Sequence, residues 1–225
     1  MSDSPSTLLS TSLLALGISL PEEVQARLLV YLDYVLKANE KLNLTSIEYP
    51  GAVTKHLVDS LSVMQKEGLA SLEDPWLDLG SGAGFPGIPL AMAFPGKKII
   101  LVESIQKKAK FLEECVTALG LGNQVHVKSE RAEALGKNEL KAKCGLVVCR
   151  AVGKLSSLLA ISMPLLLSGG RLIAYKGPKA EQEIMECSNV LKSLNCQIEK
   201  KLDFSLPFSG EARTLVVVRK LGIKS

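Results

Sequence analysis

The sequence is poor in the residues that build metal sites and disulfide frameworks. Its 225 residues include two histidines and five cysteines, and aromatic residues make up 4%. The cysteines are odd in number and form no Cys-x-x-Cys pair, so neither a zinc site nor a set of disulfides is expected. We predict reduced thiols in or near the core, and no bound metal. The cysteines are Cys115, Cys144, Cys149, Cys187 and Cys196.

The chain also lacks the charge pattern of a signal peptide and a long apolar run. The stretch from Leu8 to Leu20 is rich in leucine, but the first twenty residues contain no Lys or Arg, and Asp3 is acidic. A signal peptide would open with positive charge. No other segment approaches the ~20 apolar residues that a membrane-spanning helix needs. We therefore expect a cytoplasmic protein with no membrane partner.

Positive charge is scarce in the first third of the chain and concentrated in the rest. Residues 1–74 hold 5 Lys or Arg against 10 Asp or Glu, a net charge of −5, whereas residues 75–225 hold 22 against 13, a net charge of +9. Such asymmetry favours a polyanionic partner for the larger part. A solvated basic surface would give the same count.

The same boundary separates two patterns of hydrophobicity. Residues 1–74 are predicted to form a helical extension that packs on the core. Ser19–Glu22 has the form of a helix start with a capping box and an early proline, and apolar residues from Val24 onward recur at helical spacing. A second helical piece is expected around His56–Leu61. Residues 75–225 are predicted to form one Rossmann-like domain.

The larger region alternates short apolar runs with helical segments. The predicted strands are 76–79, 98–103, 124–128, 145–149, 171–175, 196–203 and 214–219. The predicted helices are 87–94, 106–119, 131–136, 154–167 and 179–193. Alternation of this kind indicates parallel strands with right-handed crossovers. The loop Leu206–Gly210 is too short for a crossover helix, so the last strand should be antiparallel in a seven-stranded, mostly parallel sheet.

A glycine-rich loop follows the first predicted strand directly, in the sequence LDLGSGAGFPG. Gly80, Gly82 and Gly84 allow a sharp turn and a close approach of a nucleotide to the backbone at the carboxyl edge of the sheet. Gly82–Gly87 also fits the dinucleotide pattern GxGxxG, which is weak by itself. However, Phe85-Pro86 adds bulk and removes an N–H where a pyrophosphate needs donors. The loop therefore favours S-adenosylmethionine, which has no phosphates, over NAD.

The ends of the next two strands carry residues suited to an adenosine group. Glu103 ends the second strand, and its carboxylate can accept hydrogen bonds from ribose hydroxyls. Ala132 and Glu133 follow the third strand, where a backbone group and a carboxylate could contact the adenine edge. An ordinary acid-rich helix N-terminus is the alternative interpretation of these two residues.

Cationic residues end the fourth and fifth strands. Arg150 could bind the methionine carboxylate, a substrate phosphate or a base edge, and its loss is expected to reduce activity far more than stability. Lys176 and Arg213 are predicted substrate contacts, with plain surface cations as the alternative. His56 and Asp59 lie three residues apart on a predicted helix, where we favour a structural hydrogen bond.

Taken together, these segments resemble the RsmG (GidB) family over nearly the whole chain. The similarity extends to the amino-terminal segment and to the last loop. The matching segments are LDLGSGAGFPGIPLA, Val102–Ser104 with Lys107-Lys108 and Phe111-Leu112, Arg131–Glu133, Arg150–Val152, Lys176-Gly177, Asn39 with Asn43–Thr45, His56–Leu61, and Leu206-Pro207 with Glu211–Arg213.

The resemblance implies a class I methyltransferase that transfers a methyl group from S-adenosylmethionine to N7 of a guanine in the 530 loop of bacterial 16S ribosomal RNA. It implies 16S RNA or the small ribosomal subunit as the partner, and we expect a monomer. No catalytic base is assigned. The predicted cofactor-binding residues are Gly80, Ser81, Gly82, Phe85, Glu103, Ser104, Ile105, Ala132, Glu133 and Arg150, and the predicted substrate-binding residues are Arg150, Lys176 and Arg213.

Three alternatives remain open from the residues alone. The chain could be a methyltransferase for another RNA or for a small molecule. It could be an NAD-dependent oxidoreductase, because the glycine pattern formally fits a dinucleotide. It could also be a non-catalytic RNA-binding protein that retains this fold.

Overall fold

The computed structural model describes residues 4–222, and within them the strands form one seven-stranded sheet in the order β3-β2-β1-β4-β5-β7-β6. Strands β1 to β5 run parallel, whereas β7 lies antiparallel between β5 and β6. The predicted α/β architecture and its antiparallel last strand are confirmed. The strands are β1 Trp76–Leu79, β2 Ile99–Val102, β3 Val125–Lys128, β4 Cys144–Arg150, β5 Leu166–Lys176, β6 Cys196–Ser205 and β7 Ala212–Lys220.

The inner strands β1 and β2 are buried on both faces, as parallel strands covered by helices usually are. Alternate residues of each strand enter separate hydrophobic clusters, because successive side chains in a strand point to opposite faces. On β4, for example, Leu146 and Val148 join one cluster, and Val147 and Cys149 join the other. The sheet is therefore the middle layer between two helical layers.

Nine α-helical segments lie within residues 4–222. Two of them replace the single helix predicted over 179–193, because the chain turns at Cys187. The helices are α1 Pro5–Ala15, α2 Glu22–Leu42, α3 Asp59–Leu61, α4 Gly87–Ala93, α5 Gln106–Ala118, α6 Ala132–Leu135, α7 Leu155–Leu165, α8 Ala180–Glu186 and α9 Ser188–Ser193. Among the described residues none of them is long and apolar enough to cross a membrane.

The helix predicted to start near Ser19 does begin there, but the prediction of a capping box is wrong. Helix α2 starts at Glu22 after Pro21, and within residues 4–222 no side chain caps its amino-terminal N–H groups. Pro21 already has the extended backbone that precedes a helix, and Glu22 and Glu23 place negative charge at the positive end of the helix dipole. These features begin the helix without a Ser19 side chain.

The second amino-terminal helical piece is a π-helix, Val53–Val58, that continues into α3. Its wide turns are uncommon and often occur at functional sites. The segment is almost wholly buried, and its residues belong to the same hydrophobic cluster as α1, α2 and one face of the sheet. Residues 4–74 thus complete the helical layer on that face, while the domain boundary at 74 remains a prediction.

All five cysteines are buried and free among the described residues, as expected for core thiols. Burial raises the pKa of Cys115 and of Cys144 to about 12. Neutral thiols are poor nucleophiles and poor metal ligands. These cysteines are therefore packing residues.

Candidate cofactor and substrate site

The glycine-rich loop lies at the carboxyl edge of β1, where the crossovers to both sides of the sheet leave a crevice. Gly80 has a φ of +71° and Gly82 a φ of +59°, a left-handed conformation that glycine adopts without strain. A Cβ atom on Gly80 would lie 2.9 Å from Cγ2 of Val152. The loop therefore requires glycine at position 80, both for its conformation and for its close packing.

Glu103 holds the loop from the end of β2. Its Oε2 accepts a hydrogen bond from the Gly82 N–H at 2.9 Å, and its Oε1 accepts one from the Ile105 N–H at 2.8 Å. A carboxylate oxygen has two lone pairs, so each oxygen retains one for a further donor. The predicted role as acceptor for ribose hydroxyls is compatible with this geometry and stays a prediction.

A cavity of about 220 Å³ opens beside this loop. Four predicted cofactor residues line it, namely Gly80, Ser104, Ala132 and Glu133. They come from the ends of three different strands, which the fold brings together at one edge. The remaining lining residues are Leu79, Val102, Glu130, Arg131, Val152 and Ile161.

Six other predicted cofactor residues do not line this cavity, namely Ser81, Gly82, Phe85, Glu103, Ile105 and Arg150. The Ser81 hydroxyl donates to the Asp78 carbonyl at 3.0 Å and is buried inside the turn. The Phe85 ring stacks on His56, with 4.8 Å between ring centroids, and is also buried. Ile105 is 52% exposed next to Ser104. Ser81 and Phe85 thus shape the loop from within, whereas Ile105 offers an apolar surface at its rim.

Sequence reasoning missed Asp78, a fully buried carboxyl in β1. Its Oδ2 accepts a hydrogen bond from the Gly87 N–H at 2.9 Å, and its Oδ1 has no hydrogen-bond partner among residues 4–222. Burial raises the pKa of Asp78 to about 7. The signal in the sequence was one acid inside an otherwise apolar buried strand, which is rare without a role in the loop that follows.

A second cavity of about 350 Å³ lies on the other side of the end of β4. Arg150 and Ala151 line it, while the next residue, Val152, lines the first cavity. It contains all three predicted substrate residues. Its full lining is Ile47, Lys55, His56, Asp59, Arg150, Ala151, Tyr175, Lys176, Gly177, Glu211 and Arg213.

Arg150 is more firmly built into the fold than its position in the sequence suggests. Its Nη1 donates to the Lys55 carbonyl at 2.7 Å and to Oδ2 of Asp59 at 3.2 Å. Its guanidinium also lies over the Phe85 ring, 5.2 Å from the centroid. Arg150 therefore contributes to stability, because it joins the sheet to the π-helix and to the glycine-rich loop. The expectation that its loss reduces activity far more than stability stays a prediction.

Asp59 binds two arginines rather than His56. Besides Arg150, the Nε of Arg213 lies 3.4 Å from its Oδ1. That distance allows ion pairing, but Oδ1 accepts no hydrogen bond from the described residues, so the second contact is the weaker one. A carboxylate that is 4% exposed thus holds two guanidinium groups at one wall of the cavity.

His56 makes the structural hydrogen bond that we favoured, but to a different partner. Its Nε2 lies 2.7 Å from Oγ1 of Thr45. Burial, with the nearby Arg150 cation, lowers the pKa of His56 to about 4. The imidazole is therefore neutral at pH 7, and it packs against Phe85 as a flat ring.

Lys176 and Arg213 differ in how available they are. Nζ of Lys176 donates to the Gly153 carbonyl at 2.8 Å and lies 2.8 Å from Oε2 of Glu183, and the residue is 8% exposed. The charge of Lys176 is thus largely compensated by these two groups in the wall of the cavity. Arg213 pairs with Glu211 at 2.8 Å, but its side chain remains 21% exposed. Both roles in substrate binding stay predictions.

A family model and curated relatives agree on one family for this chain. Residues 24–216 match the family model described as rRNA small subunit methyltransferase G. The chain belongs to this family. The resemblance that the motifs predict is thereby confirmed.

Curated relatives of this family match most of the chain. Ribosomal RNA small subunit methyltransferase G of Pelotomaculum thermopropionicum is 39% identical, with 92% of this chain and 87% of the relative covered. The protein of the same name from Syntrophotalea carbinolica is 39% identical over 91% and 93%. The protein of the same name from Sorangium cellulosum is 44% identical, with 80% of this chain and 75% of the relative covered.

Solved structures place the fold among methyltransferases. A SAM-dependent O-methyltransferase from Thermotoga maritima has a TM-score of 0.54 at 17% identity and covers 85% of this chain and 72% of that one. P. horikoshii TYW2 in complex with MeSAdo has a TM-score of 0.56 at 13% identity and covers 77% and 64%. The chain thus has the Rossmann-like fold of class I SAM-dependent methyltransferases.

Proposed function

We propose that this enzyme transfers a methyl group from S-adenosylmethionine to N7 of a guanine in the 530 loop of bacterial 16S ribosomal RNA. The observation that carries the proposal is the pair of cavities on either side of the end of β4. One is lined by Gly80 of the glycine-rich loop and by Ser104, Ala132 and Glu133, and the other contains four cationic side chains. Membership of the methyltransferase G family supports the choice of ribosomal RNA.

The residues of the first cavity fit the cofactor. Gly80 presents bare backbone at the cavity wall, and Glu103, which holds the loop beside the cavity, retains acceptor capacity toward a ribose. Ala132 and Glu133 also line this cavity, and we propose that they contact the adenine edge. When bound, S-adenosylmethionine would supply an electrophilic methyl group carried on a positively charged sulfur.

The proposed acceptor atom requires no general base. N7 of guanine carries an unprotonated lone pair, which can form the new N–C bond while the C–S electron pair returns to sulfur. No proton has to leave N7 before this attack. The protein's task is therefore to align the two reactants and to place charges correctly around them. The neutral His56 and the satisfied Lys176 agree with a site that positions its substrate rather than exchanges protons with it.

The second cavity suits a polyanion. Its lining contains four cationic side chains, Lys55, Arg150, Lys176 and Arg213, against the two acids Asp59 and Glu211. Because phosphate contacts supply most of the affinity of a protein for nucleic acid, the exposed part of Arg213 is the best placed of these for an RNA phosphate. The net charge of +9 on residues 75–225 supports the same partner.

The proposal is tested by methyl transfer in vitro. Small subunits and deproteinised 16S RNA, both from cells that lack this enzyme, are incubated with labelled S-adenosylmethionine, and N7-methylguanine is mapped by chain cleavage. We expect one modified guanine in the 530 loop. Label in another RNA or only in small molecules would reject the substrate, and calorimetry that showed binding of NAD but not of S-adenosylmethionine would favour an oxidoreductase. Cofactor and RNA binding without transfer would indicate a non-catalytic protein.

The same preparations address the partner and the assembly state. We propose that the enzyme acts as a monomer in the cytoplasm, where ribosomal subunits are made. Light scattering during gel filtration should give the mass of one 24.1 kDa chain. Comparison of the two RNA substrates tells whether the free RNA or the assembled particle is recognised.

A further inference from the structure

Phe208 is the most exposed aromatic residue among those that the structure describes. It is 66% exposed, whereas the next two, Tyr49 and Tyr34, are 37% and 36% exposed. In a chain with 4% aromatic residues, an apolar ring left in water is notable. An exposed ring of this kind can contact a ligand or a partner surface.

The backbone around Phe208 holds the ring outward. The Ser209 N–H donates to the Pro207 carbonyl at 2.8 Å, which makes a three-residue turn with Phe208 at its centre. Phe208 has a φ of +64°, a value that residues with a Cβ rarely adopt. The ends of the loop are joined by the Leu206 N–H, which donates to the Glu211 carbonyl at 2.9 Å. The loop is thus a closed unit that presents one phenyl ring.

This loop lies at the rim of the cationic cavity. It connects the end of β6 to the start of β7, where Thr214 pairs with Lys176 at the carboxyl end of β5. Glu211, the last residue of the loop, lines the cavity and is ion-paired with both Lys55 and Arg213. The exposed ring and the basic side chains are therefore parts of one surface at the edge of the sheet where methyl transfer is proposed.

We propose that Phe208 stacks on an unpaired base of the RNA substrate next to the guanine that is methylated. This inference rests on the proposed function. Proteins that bind single-stranded segments combine cations for the backbone with aromatic rings for the bases, and loops of RNA offer unstacked bases for this purpose. Here Arg213 and Lys55 supply the charge, and Phe208 is the ring placed beside them. The contact makes Phe208 a determinant of substrate affinity and not a catalytic residue.

The first test replaces the ring. Phe208→Ala should raise the KM for the RNA substrate about 5- to 150-fold, since loss of one base–aromatic stack costs about that much binding. The kcat at saturating RNA and the affinity for S-adenosylmethionine should stay unchanged. Phe208→Tyr should keep a KM near that of the wild type. Leu14→Ala, at a residue that is 67% exposed on α1, is the matched control and should change nothing. An unchanged KM for Phe208→Ala overturns the proposal, and Phe208→Gly, which suits the positive φ, repeats the test if the Ala variant folds poorly.

A second test observes the stack directly. The chain has one tryptophan, Trp76, which is 1% exposed, so Phe208→Trp adds a single surface fluorophore. Deproteinised 16S RNA from cells that lack the enzyme should quench its emission at fixed salt, while Leu14→Trp should not respond. If the enzyme methylates the deproteinised RNA, quenching by small subunits but not by this RNA would assign the ring to a ribosomal protein and refute the stack. Absence of quenching by either would refute it as well.

These outcomes are separate from failure of the proposed function. If the wild type methylates no guanine in 16S RNA, the proposed function fails, whatever the Phe208 variants do. If the wild type is active and the Phe208→Ala enzyme has the same KM, only the inference about Phe208 fails.

Discussion

Replacing Arg150 by Ala should destabilise the fold by about 3 kcal/mol, near the lower end of what loss of one partner from a buried ion pair usually costs. The side chains of Arg150 and Asp59 are 14% and 5% exposed. Without Arg150, the Asp59 carboxylate keeps only the poorly aligned contact with Arg213 at 3.4 Å, and the Lys55 carbonyl loses its donor at 2.7 Å. Since small domains are stable by about 5–15 kcal/mol in total, this loss is large but need not unfold the enzyme.

The measurement is urea unfolding at pH 7, followed by the fluorescence of Trp76. The matched control is Arg171→Ala, which removes an ion pair with Glu199 whose side chains are 22% and 23% exposed. A partly exposed ion pair of this kind contributes about 1 kcal/mol or less to stability. Adding Asp59→Asn to the Arg150 variant should restore part of the stability, because the uncompensated charge is then gone. If Arg150→Ala costs no more than Arg171→Ala, the reasoning is refuted and Arg150 is free to act on ligands alone.

Three further predictions concern the cofactor loop and its neighbours. Gly80→Val should abolish binding of S-adenosylmethionine in calorimetry, whereas Gly120→Val, which has a similar φ of +66° but no atom of the described residues within 4 Å of its added Cβ, should bind normally. If the Gly80 variant still binds S-adenosylmethionine, the cofactor site lies elsewhere. Glu103→Gln should weaken cofactor binding about 10- to 100-fold, the worth of a hydrogen bond to a charged group, and equal affinity would restrict this carboxylate to holding the loop. Because the pKa of His56 falls to about 4, its neutral form stabilises the fold fully above pH 6.5, and that contribution is lost as the pH falls toward 4. The stability difference between the wild type and His56→Asn should therefore shrink by about 3 kcal/mol over that range in urea titrations, and a constant difference would contradict it. The comparison with a variant is needed because the raised pKa of Asp78 acts in the opposite direction, removing stability as the pH rises from 3.8 to about 7.

The periodicity of apolar residues in the sequence was sufficient to predict the strands of the sheet. Each of the seven predicted strands corresponds to an observed one, and the short loop at 206–210 correctly indicated the antiparallel pair. Predictions failed where the outcome depended on details within one turn. The chain turns at Cys187 inside a continuous helical pattern, and His56 lies in a π-helix that has nearly the same side-chain spacing as an α-helix.

The glycine-rich loop after the first strand was the most informative segment of the chain. The sequence shows three local features: the glycines of this loop, the acid that ends the next strand, and the residues after the third strand. Because ligands bind at the carboxyl edge of such a sheet, these features are expected to form one site. The sequence by itself therefore determined the fold class, the place of the glycine-rich loop and, through its motifs, the family.

Only the tertiary structure decided how the amino-terminal segment takes part. The contacts of Arg150 with Lys55 and Asp59 join residues more than ninety positions apart, and Tyr31 of α2 donates to the Ala83 carbonyl inside the glycine-rich loop at 2.6 Å. The spacing of residues along the sequence does not predict such contacts. They depend on how the helical layer packs against the sheet, and this packing selects the helix side chain that meets each strand end. For the same reason the sequence could not show that Arg150 stabilises the fold, that Phe85 is covered by His56, or that one exposed phenyl ring lies beside the basic cavity.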